Sequence, residues 1–189
     1  SVNLDVWAGD CPPTEDRVVA IGNASYVKGT MDTIDMLVGT GLTYHHVGGG
    51  SSDDLETLEA YAKKNNVNLI IEPRLSQDDL VNLIKRSLAV VSLAHGEPFG
   101  LTPIEAQAAG TPALMVDEGG YNYTVEDGVS GRLLPRGDWS AWHTALEQAR
   151  DSETRKAWSN AGQENIAKIG LRPEDQADAL NQIISKIRD

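Results

Sequence analysis

The sequence predicts an α/β domain: a Rossmann-like, doubly wound, mostly parallel sheet with helices on both faces and additional C-terminal helices. The first observation is a strict alternation of short β-branched runs with helical patterns from residue 18 onward. The second is length, because 189 residues suffice for one self-sufficient core. The third is composition, since 40% apolar and 23% charged residues are typical of a soluble globular domain. Strands that alternate with helices pair in parallel and are covered on both faces.

The elements are predicted where the pattern changes along the chain. Runs of β-branched and apolar residues predict strands at residues 18–21, 44–47, 67–71, 89–93, 113–116 and 132–134. Helical spacing of apolar residues predicts helices at 30–38, 53–64, 77–87 and 103–109. Three further helices, at 139–150, 153–169 and 173–187, follow without another strand and are expected to close one edge of the sheet. In the first of these three, Trp139, Trp142 and Leu146 form a predicted core-facing stripe.

Residues 1–17 differ from the rest and are predicted to be an interdomain linker. They contain Pro12 and Pro13, mixed polar residues and no sustained period. Residues 18–189 are then the domain proper, and such a long lead-in predicts a neighbouring domain before it.

Charge and cysteine content exclude several classes of function. Sixteen basic and 28 acidic residues give a net charge of -12, which argues against nucleic-acid and anionic-membrane partners. The single cysteine, Cys11, cannot form an intramolecular disulfide, which favours a reducing compartment, with the cytoplasm as the prediction. The longest apolar stretch is too short to cross a bilayer, and no signal peptide is recognised.

The expected ligand-binding edge lies beyond the carboxyl ends of the strands. Open doubly wound sheets bind ligands there, near the point where the strand order reverses. Glycine and polar residues gather after the predicted strands, at residues 22–29, 48–52, 72–74, 95–102 and 117–120. Each glycine alone is more often a turn residue, but their repeated placement favours one site.

Common nucleotide and metal motifs are poorly supported. The P-loop pattern GxxxxGK[ST] is absent, which argues against a kinase or ATPase. Gly48 and Gly50 follow a strand as in a dinucleotide fingerprint, but Asp53 stands at the third glycine position, so a dehydrogenase remains only an alternative. His45 and His46 are adjacent on a predicted strand and therefore point to opposite faces. No metal is expected.

The segment HGEPFGLTPIEAQAAG, residues 95–110, carries the strongest indication of function. Glu97 and Glu105 flank seven residues, the first in a glycine loop and the second in the opening turn of a helix. A structural alternative is a capping box, in which Glu105 reaches back to the backbone of Thr102 ahead of Pro103. Phe99, the single phenylalanine, could likewise fill the core.

This segment resembles the E-x7-E signature of retaining glycosyltransferases of family 4, whose carboxy-terminal halves bind a nucleotide-sugar donor. Other segments resemble that family in the same order. They are the Lys-Gly loop after the first strand (19–29), a small-residue turn (110–112), the D-G-x-S/T-G loop (127–131) and the segment after the interdomain hinge (2–5). The resemblance implies a donor-binding domain, one of the two Rossmann-like halves of a GT-B fold.

The resemblance also implies roles for individual residues. Glu97 would accept hydrogen bonds from the donor sugar and Lys28 would stabilise the leaving diphosphate, which makes these two the predicted catalytic residues. Glu105 would bind the ribose diol, and Gly100 would let the diphosphate approach the free N–H groups of the helix that follows. Further residues predicted to bind the donor are Gly22, Asn23, Arg74, His95, Phe99, Leu101 and Thr102.

The implied reaction is transfer of a hexose from UDP or GDP with retained configuration. Apart from that donor no cofactor is expected, and the acceptor would be bound by an N-terminal domain of a longer protein. Through that domain a peripheral membrane position is the alternative to a purely cytoplasmic one. Asn23 and Tyr123 stand where the family usually has Arg and often has Glu. These departures favour a non-catalytic nucleotide-sugar-binding module as the alternative, and a GT-B epimerase is a less favoured one.

Overall fold

The computed structural model describes residues 15–169 and contains a six-stranded sheet in the order β3-β2-β1-β4-β5-β6. The strands are β1 (Glu15–Ile21), β2 (Thr43–Val47), β3 (Leu69–Glu72), β4 (Ser87–Ser92), β5 (Ala113–Val116) and β6 (Gly131–Leu134). Every pairing between neighbours is parallel. The predicted Rossmann-like α/β class is therefore confirmed.

Seven helices connect and flank the strands within the described residues. They are α1 (Thr30–Leu37), α2 (Ser52–Lys64), α3 (Gln77–Arg86), α4 (Leu101–Ala108), the single turn α5 (Tyr121–Thr124), α6 (Trp139–Arg150) and α7 (Ser152–Ile169). A short 3-10 turn, Tyr26–Lys28, precedes α1. None of these helices is both long enough and apolar enough to cross a lipid bilayer.

Local sequence explains where several helices begin. The Ser51 hydroxyl accepts from the Asp54 N–H in a capping box that starts α2. The Ser76 hydroxyl and the Asp138 carboxylate accept from the third residue of α3 and of α6 in the same way. Each side chain satisfies an N–H group that has no acceptor inside its helix.

The core is centred on β4 and β5. All residues of both strands are buried, as expected for strands in the middle of a parallel sheet. The stripe predicted on α6 packs against this core, with Trp142 and Leu146 buried. The Trp142 indole N–H donates to the Pro135 carbonyl at 3.0 Å, so the ring is buried without an unpaired donor.

Some boundaries differ from the prediction. Strand β1 begins at Glu15, so residues 15–17 of the predicted linker belong to the sheet. Their charged side chains hid the strand pattern, yet Glu15 accepts from Arg86 at 2.7 Å and forms an ion pair with Arg17. Helix α4 begins two residues earlier than predicted, β3 is shifted toward residue 72, and α5 was not predicted. Residues 1–14 of the predicted linker and the predicted helix at 173–187 lie outside the described residues.

Candidate functional site

The candidate site lies where the strand order reverses, at the carboxyl ends of β1 and β4. These two strands are neighbours although β2, β3 and the helices between them separate them along the chain. The loops that leave them are joined directly, because the His95 N–H donates to the Val27 carbonyl at 2.8 Å. The loop position therefore agrees with the rule for ligand sites in open α/β sheets.

The two predicted catalytic residues meet at this point. The Lys28 ammonium donates to the Glu97 carboxylate with an Nζ–Oε2 distance of 3.0 Å. Both side chains remain accessible, with 40% of Lys28 and 21% of Glu97 exposed. The Lys28 stem lies over Gly22, since a Cβ at that glycine would be 3.3 Å from the lysine Cδ. Of the predicted donor-binding residues, Gly22 therefore lies next to the Lys28 side chain.

The backbone at Glu97 is held by the loop that follows β5. The Gly120 N–H donates to the Glu97 carbonyl at 2.7 Å. Three loops, after β1, β4 and β5, thus contact one another around Glu97. A carboxylate on an interlocked backbone is oriented before any ligand arrives.

Glu105 lies in α4 without the capping role that was the alternative. The residue at the N-cap of α4 is Gly100, and no side chain caps that end, so the predicted capping box at Thr102 is wrong. Glu105 is half-buried and its carboxylate makes no hydrogen bond to any residue between 15 and 169. Burial raises the pKa of the Glu105 carboxyl. The Glu105 carboxylate is consequently available as a hydrogen-bond acceptor and is partly shielded from solvent.

The packing around the start of α4 explains why residue 100 is a glycine. This residue has a left-handed conformation with φ of 84°, and a Cβ there would be 2.8 Å from Cδ1 of the buried Tyr121 ring. Tyr121 forms a 2.5 Å hydrogen bond with the Ser92 hydroxyl, and burial raises the pKa of the tyrosine to about 12. Gly100 is thus required by packing behind the helix, while a role in diphosphate approach stays a prediction.

The rim of the site is apolar and aromatic. Phe99 is 41% exposed and Leu101 59% exposed, so the alternative of Phe99 as a core residue is wrong. Thr102 follows them as the second residue of α4 and is partly buried. On the other side of the site, Tyr26 stacks on His95 with ring centroids 4.5 Å apart. His95 Nε2 lies 3.4 Å from Asp32 Oδ2.

Arg74 and Asn23 are not brought into contact with the Lys28–Glu97 pair. Arg74 is exposed after β3, two strands away from β1, and forms no ion pair with the part of the chain that the structure describes. Asn23 is exposed, and its carbonyl accepts from the Ser25 hydroxyl at 3.4 Å. Their predicted contacts with the donor remain predictions.

Arg136 is the polar residue at this edge that sequence reasoning missed. It lies in the loop after β6, and its guanidinium bridges the carboxylates of Asp32 and Glu118. The hydrogen bond from Arg136 lowers the pKa of Glu118. The predicted strand at 132–134 is the signal that points to it, because residues that directly follow a parallel strand lie at the same sheet edge as the other loops.

The described residues offer no metal centre. Between residues 15 and 169, no group of three or more His, Cys, Asp and Glu side chains is placed to hold an ion. His45 Nδ1 lies 3.2 Å from Arg17 Nη1, whereas His46 Nδ1 lies 3.1 Å from the Tyr44 hydroxyl. The two neighbouring histidines thus have separate surroundings.

Fold and site together define a Rossmann-like domain with a lysine–carboxylate pair at the reversal of strand order. The sequence model of the family described as glycosyl transferases group 1 matches residues 7–165, and the chain belongs to this family. The sheet and its helices match domains of GT-B glycosyltransferases among solved structures.

Individual relatives agree with this assignment. The chain is 36% identical over 109 residues to a D-inositol 3-phosphate glycosyltransferase of Saccharomonospora viridis, covering 57% of this chain and 25% of that protein. Sucrose-phosphate synthase from Thermosynechococcus elongatus superposes with a TM-score of 0.85 at 21% identity, over 98% of this chain and 51% of that chain. Anabaena Alr3699/HepE in complex with UDP-glucose gives a TM-score of 0.76 at 20% identity, over 96% and 56% of the two chains. The match thus spans a quarter of that curated relative and about half of each of these two solved chains.

Proposed function

We propose that this domain binds the nucleoside-diphosphate sugar donor, UDP- or GDP-hexose, of a retaining glycosyltransferase of family 4. The observation that carries the proposal is the meeting of Lys28 and Glu97 at 3.0 Å across the reversal of strand order. The Anabaena neighbour was crystallised with UDP-glucose, which supports a nucleotide sugar as the ligand. In this proposal no metal takes part.

Positive groups for the diphosphate come from two sources. Lys28 is 40% exposed and can exchange its contact with Glu97 for a phosphate oxygen. The first N–H groups of α4, which follow Gly100, have no acceptor within the helix and favour an anion. Together they would stabilise the charge that develops on the leaving nucleoside diphosphate.

Two carboxylates are available for hydroxyl groups of the donor. Glu105, with no hydrogen bond to the described part of the chain, can accept from both hydroxyls of a ribose. Glu97, released from Lys28 by the phosphate, can accept from hydroxyls of the transferred sugar. Retention of configuration would then require no covalent nucleophile from this domain, provided that the acceptor hydroxyl attacks C1 from the face that the phosphate leaves. The bond from C1 to the phosphate oxygen would break as the bond to the acceptor oxygen forms, and the leaving phosphate would take the acceptor's proton.

Transfer itself would need a second domain. The acceptor would bind on an N-terminal domain that closes over the same edge and excludes water. The isolated domain is therefore expected to bind nucleotide and to transfer sugar poorly. The curated relatives are named D-inositol 3-phosphate glycosyltransferases, so D-inositol 3-phosphate is one candidate acceptor for the whole protein.

Calorimetric titration with UDP, GDP and NAD tests the proposal. We expect saturable binding of UDP or GDP and none of NAD. Replacement Lys28→Met should weaken nucleotide binding by about 10- to 100-fold, the usual range for a lost charged hydrogen bond. The matched control Lys63→Met removes the same charge from the exposed end of α2 and should have little effect. If neither UDP nor GDP binds at millimolar concentration, the proposal is overturned. Tight NAD binding would favour a dehydrogenase.

A second candidate is a non-catalytic nucleotide-sugar-binding module. It is favoured by Asn23, which leaves Lys28 without a second cation in its loop, and by the 77% exposed Tyr123. Arg136 does not replace that cation, because two carboxylates hold its guanidinium. Sugar transfer by a protein in which this domain is joined to an acceptor-binding domain, and its loss in Lys28→Met, would exclude the second candidate.

A further inference from the structure

Arg136 holds an unusual number of partners for a residue outside the proposed donor contacts. Its Nε and Nη2 donate to the two carboxylate oxygens of Glu118, both at 2.9 Å. Nη1 donates to Asp32 at 2.5 Å, in the first turn of α1. The side chain is only 21% exposed, so these bonds are shielded from water.

The same guanidinium binds the backbone that leads into Glu97. Nη1 donates to the Leu93 carbonyl at 2.8 Å, and Nη2 lies 3.3 Å from the Ala94 carbonyl. These residues directly follow β4 and fix the direction in which the chain leaves the sheet. Glu118, on the other side, precedes the glycine pair whose second member donates to the Glu97 carbonyl.

Both chain segments that hold Glu97 are thus tied to one guanidinium. A planar fork with five donors can serve two carboxylates and two carbonyls at once, which a lysine ammonium cannot do. None of the atoms of Arg136 is left to bind phosphate, so its contribution must act through other residues.

We infer that Arg136 is a positioning residue that holds the backbone around Glu97. This places Glu97 against Lys28 in the free domain and, once a phosphate takes Lys28, against the hydroxyls of the donor sugar. The role of Arg136 in sugar recognition rests on the proposed function. Its role in placing Glu97 beside Lys28 rests on the contacts alone and can be measured without any ligand.

The first test follows the reactivity of the Lys28 amine. In Arg136→Gln, the loops should separate and release Lys28 from Glu97, so acetylation of Lys28 by acetic anhydride should proceed several-fold faster, as measured by mass spectrometry of its peptide. The exposed Lys63 serves as internal reference. Arg132→Gln is the matched control, because Arg132 is 24% exposed, binds Asp127 and Gln148, and lies in β6 away from Glu97. It should leave the Lys28 rate unchanged.

The second test compares UDP with UDP-glucose, or GDP with a GDP-hexose if GDP is the tighter ligand. In Arg136→Gln the affinity for nucleotide alone should stay close to wild type, while the gain in affinity from the sugar should fall roughly tenfold. A residue that only stabilised the fold would lower the melting temperature without changing this ratio.

The outcomes separate the two claims. A wild-type Lys28 rate in folded Arg136→Gln overturns the positioning role. A raised Lys28 rate with an unchanged sugar-to-nucleotide ratio overturns the link to sugar recognition. If wild type binds no nucleotide, the proposed function fails, and the Lys28 rate still decides the positioning role. Should Arg136→Gln not fold, Arg136→Lys keeps the charge without the fork and must show the same change in the Lys28 rate.

Discussion

At the residue scale, Glu105 combines features that serve ligand binding better than stability. Its carboxylate is half-buried and has no hydrogen-bond partner among residues 15–169. Burial raises its pKa, which means that the folded protein disfavours the charged form. Such a group costs stability near neutral pH unless a ligand supplies the missing donors.

Replacement of Glu105 by Gln therefore has opposite expected effects on binding and on stability. Nucleotide affinity should fall by about 1–3 kcal/mol, the cost of a missing partner for a buried polar group. The melting temperature should stay or rise, because the neutral amide is easier to bury. Calorimetry and thermal unfolding measure the two, with Glu59→Gln on the exposed face of α2 as control. A loss of stability with unchanged affinity would contradict the ribose role.

Glu97 should affect sugar recognition more than nucleotide affinity. Replacement Glu97→Ala removes the partner of Lys28, whose ammonium is then free for phosphate. We expect UDP or GDP to bind about as well as to wild type, whereas the preference among donor sugars decreases. Competition titrations with different nucleotide sugars measure this, with Glu164→Ala on the surface of α7 as control. Equal losses for nucleotide and nucleotide sugar would argue against this role.

At the scale of elements, the site depends on how closely the loops after β1 and β4 approach each other. Gly29 lies at this contact with φ of 65°, and a Cβ there would be 2.0 Å from the Leu93 carbonyl oxygen. Its own carbonyl accepts from the Thr33 N–H at 2.9 Å and so begins α1. One residue thus permits both the loop contact and the helix start.

Comparison of Gly29→Ala with Gly39→Ala separates the cost of a left-handed conformation from the cost of a steric clash. Gly39 also has a positive φ, of 79°, but its Cβ would meet nothing within 4 Å. Gly39→Ala should therefore cost about 1–2 kcal/mol of unfolding free energy for the left-handed conformation alone. Gly29→Ala should cost more, because the methyl group overlaps a backbone carbonyl. Urea unfolding of both variants is the measurement, and equal losses would contradict the close approach.

At the scale of the whole molecule, a net charge of -12 must be reconciled with the proposed diphosphate ligand, which is doubly charged. Charges further away than a Debye length of about 8–10 Å are largely screened at physiological salt. Lys28 and the start of α4 lie at the proposed site, while Arg136 neutralises carboxylates close to it. The local field is therefore expected to decide binding of the proposed donor, and the overall charge argues against extended polyanions as partners.

The stability of the whole fold should decrease with acidity through His46. This ring is 1% exposed in β2, and burial lowers its pKa to about 4. Because an unfolded histidine has a pKa near 6.5, the unfolded state takes up the proton first. The free energy of unfolding that neutral His46 contributes is about 3 kcal/mol. It is fully present above pH ~6.5 and is lost as the pH falls toward ~4.

Denaturant unfolding of wild type and His46→Gln between neutral pH and pH ~4 measures this contribution. Subtracting the free energies of unfolding of the two proteins cancels the contribution of carboxylates that titrate in the same pH range. His143→Gln removes a histidine from α6 and serves as control. Parallel stability curves for wild type and His46→Gln would contradict the prediction.

Local features of the fold were predictable because they depend on neighbouring residues. Alternating β-branched runs and helical periods located the strands of the sheet, and Ser51 and Ser76 cap helices within a residue or two of their predicted starts. The start of α4 was misplaced, because Pro103 suits a first helical turn and the left-handed Gly100 that begins the helix leaves no side-chain cap to recognise. The capping alternative for Glu105 failed for the same reason.

The amino-acid sequence by itself determined the α/β class, the sheet edge at which Lys28 and Glu97 lie, and the spacing that puts Glu97 in a loop and Glu105 in the helix after it. Only the tertiary structure decided which distant groups meet. Lys28 and Glu97 are 69 residues apart in sequence, and Arg136 lies 104 residues from Asp32, yet each pair is in direct contact. Periodicity and propensity act over a few residues, whereas these contacts exist because the sheet places β1 beside β4 and brings the loop after β6 back to their ends.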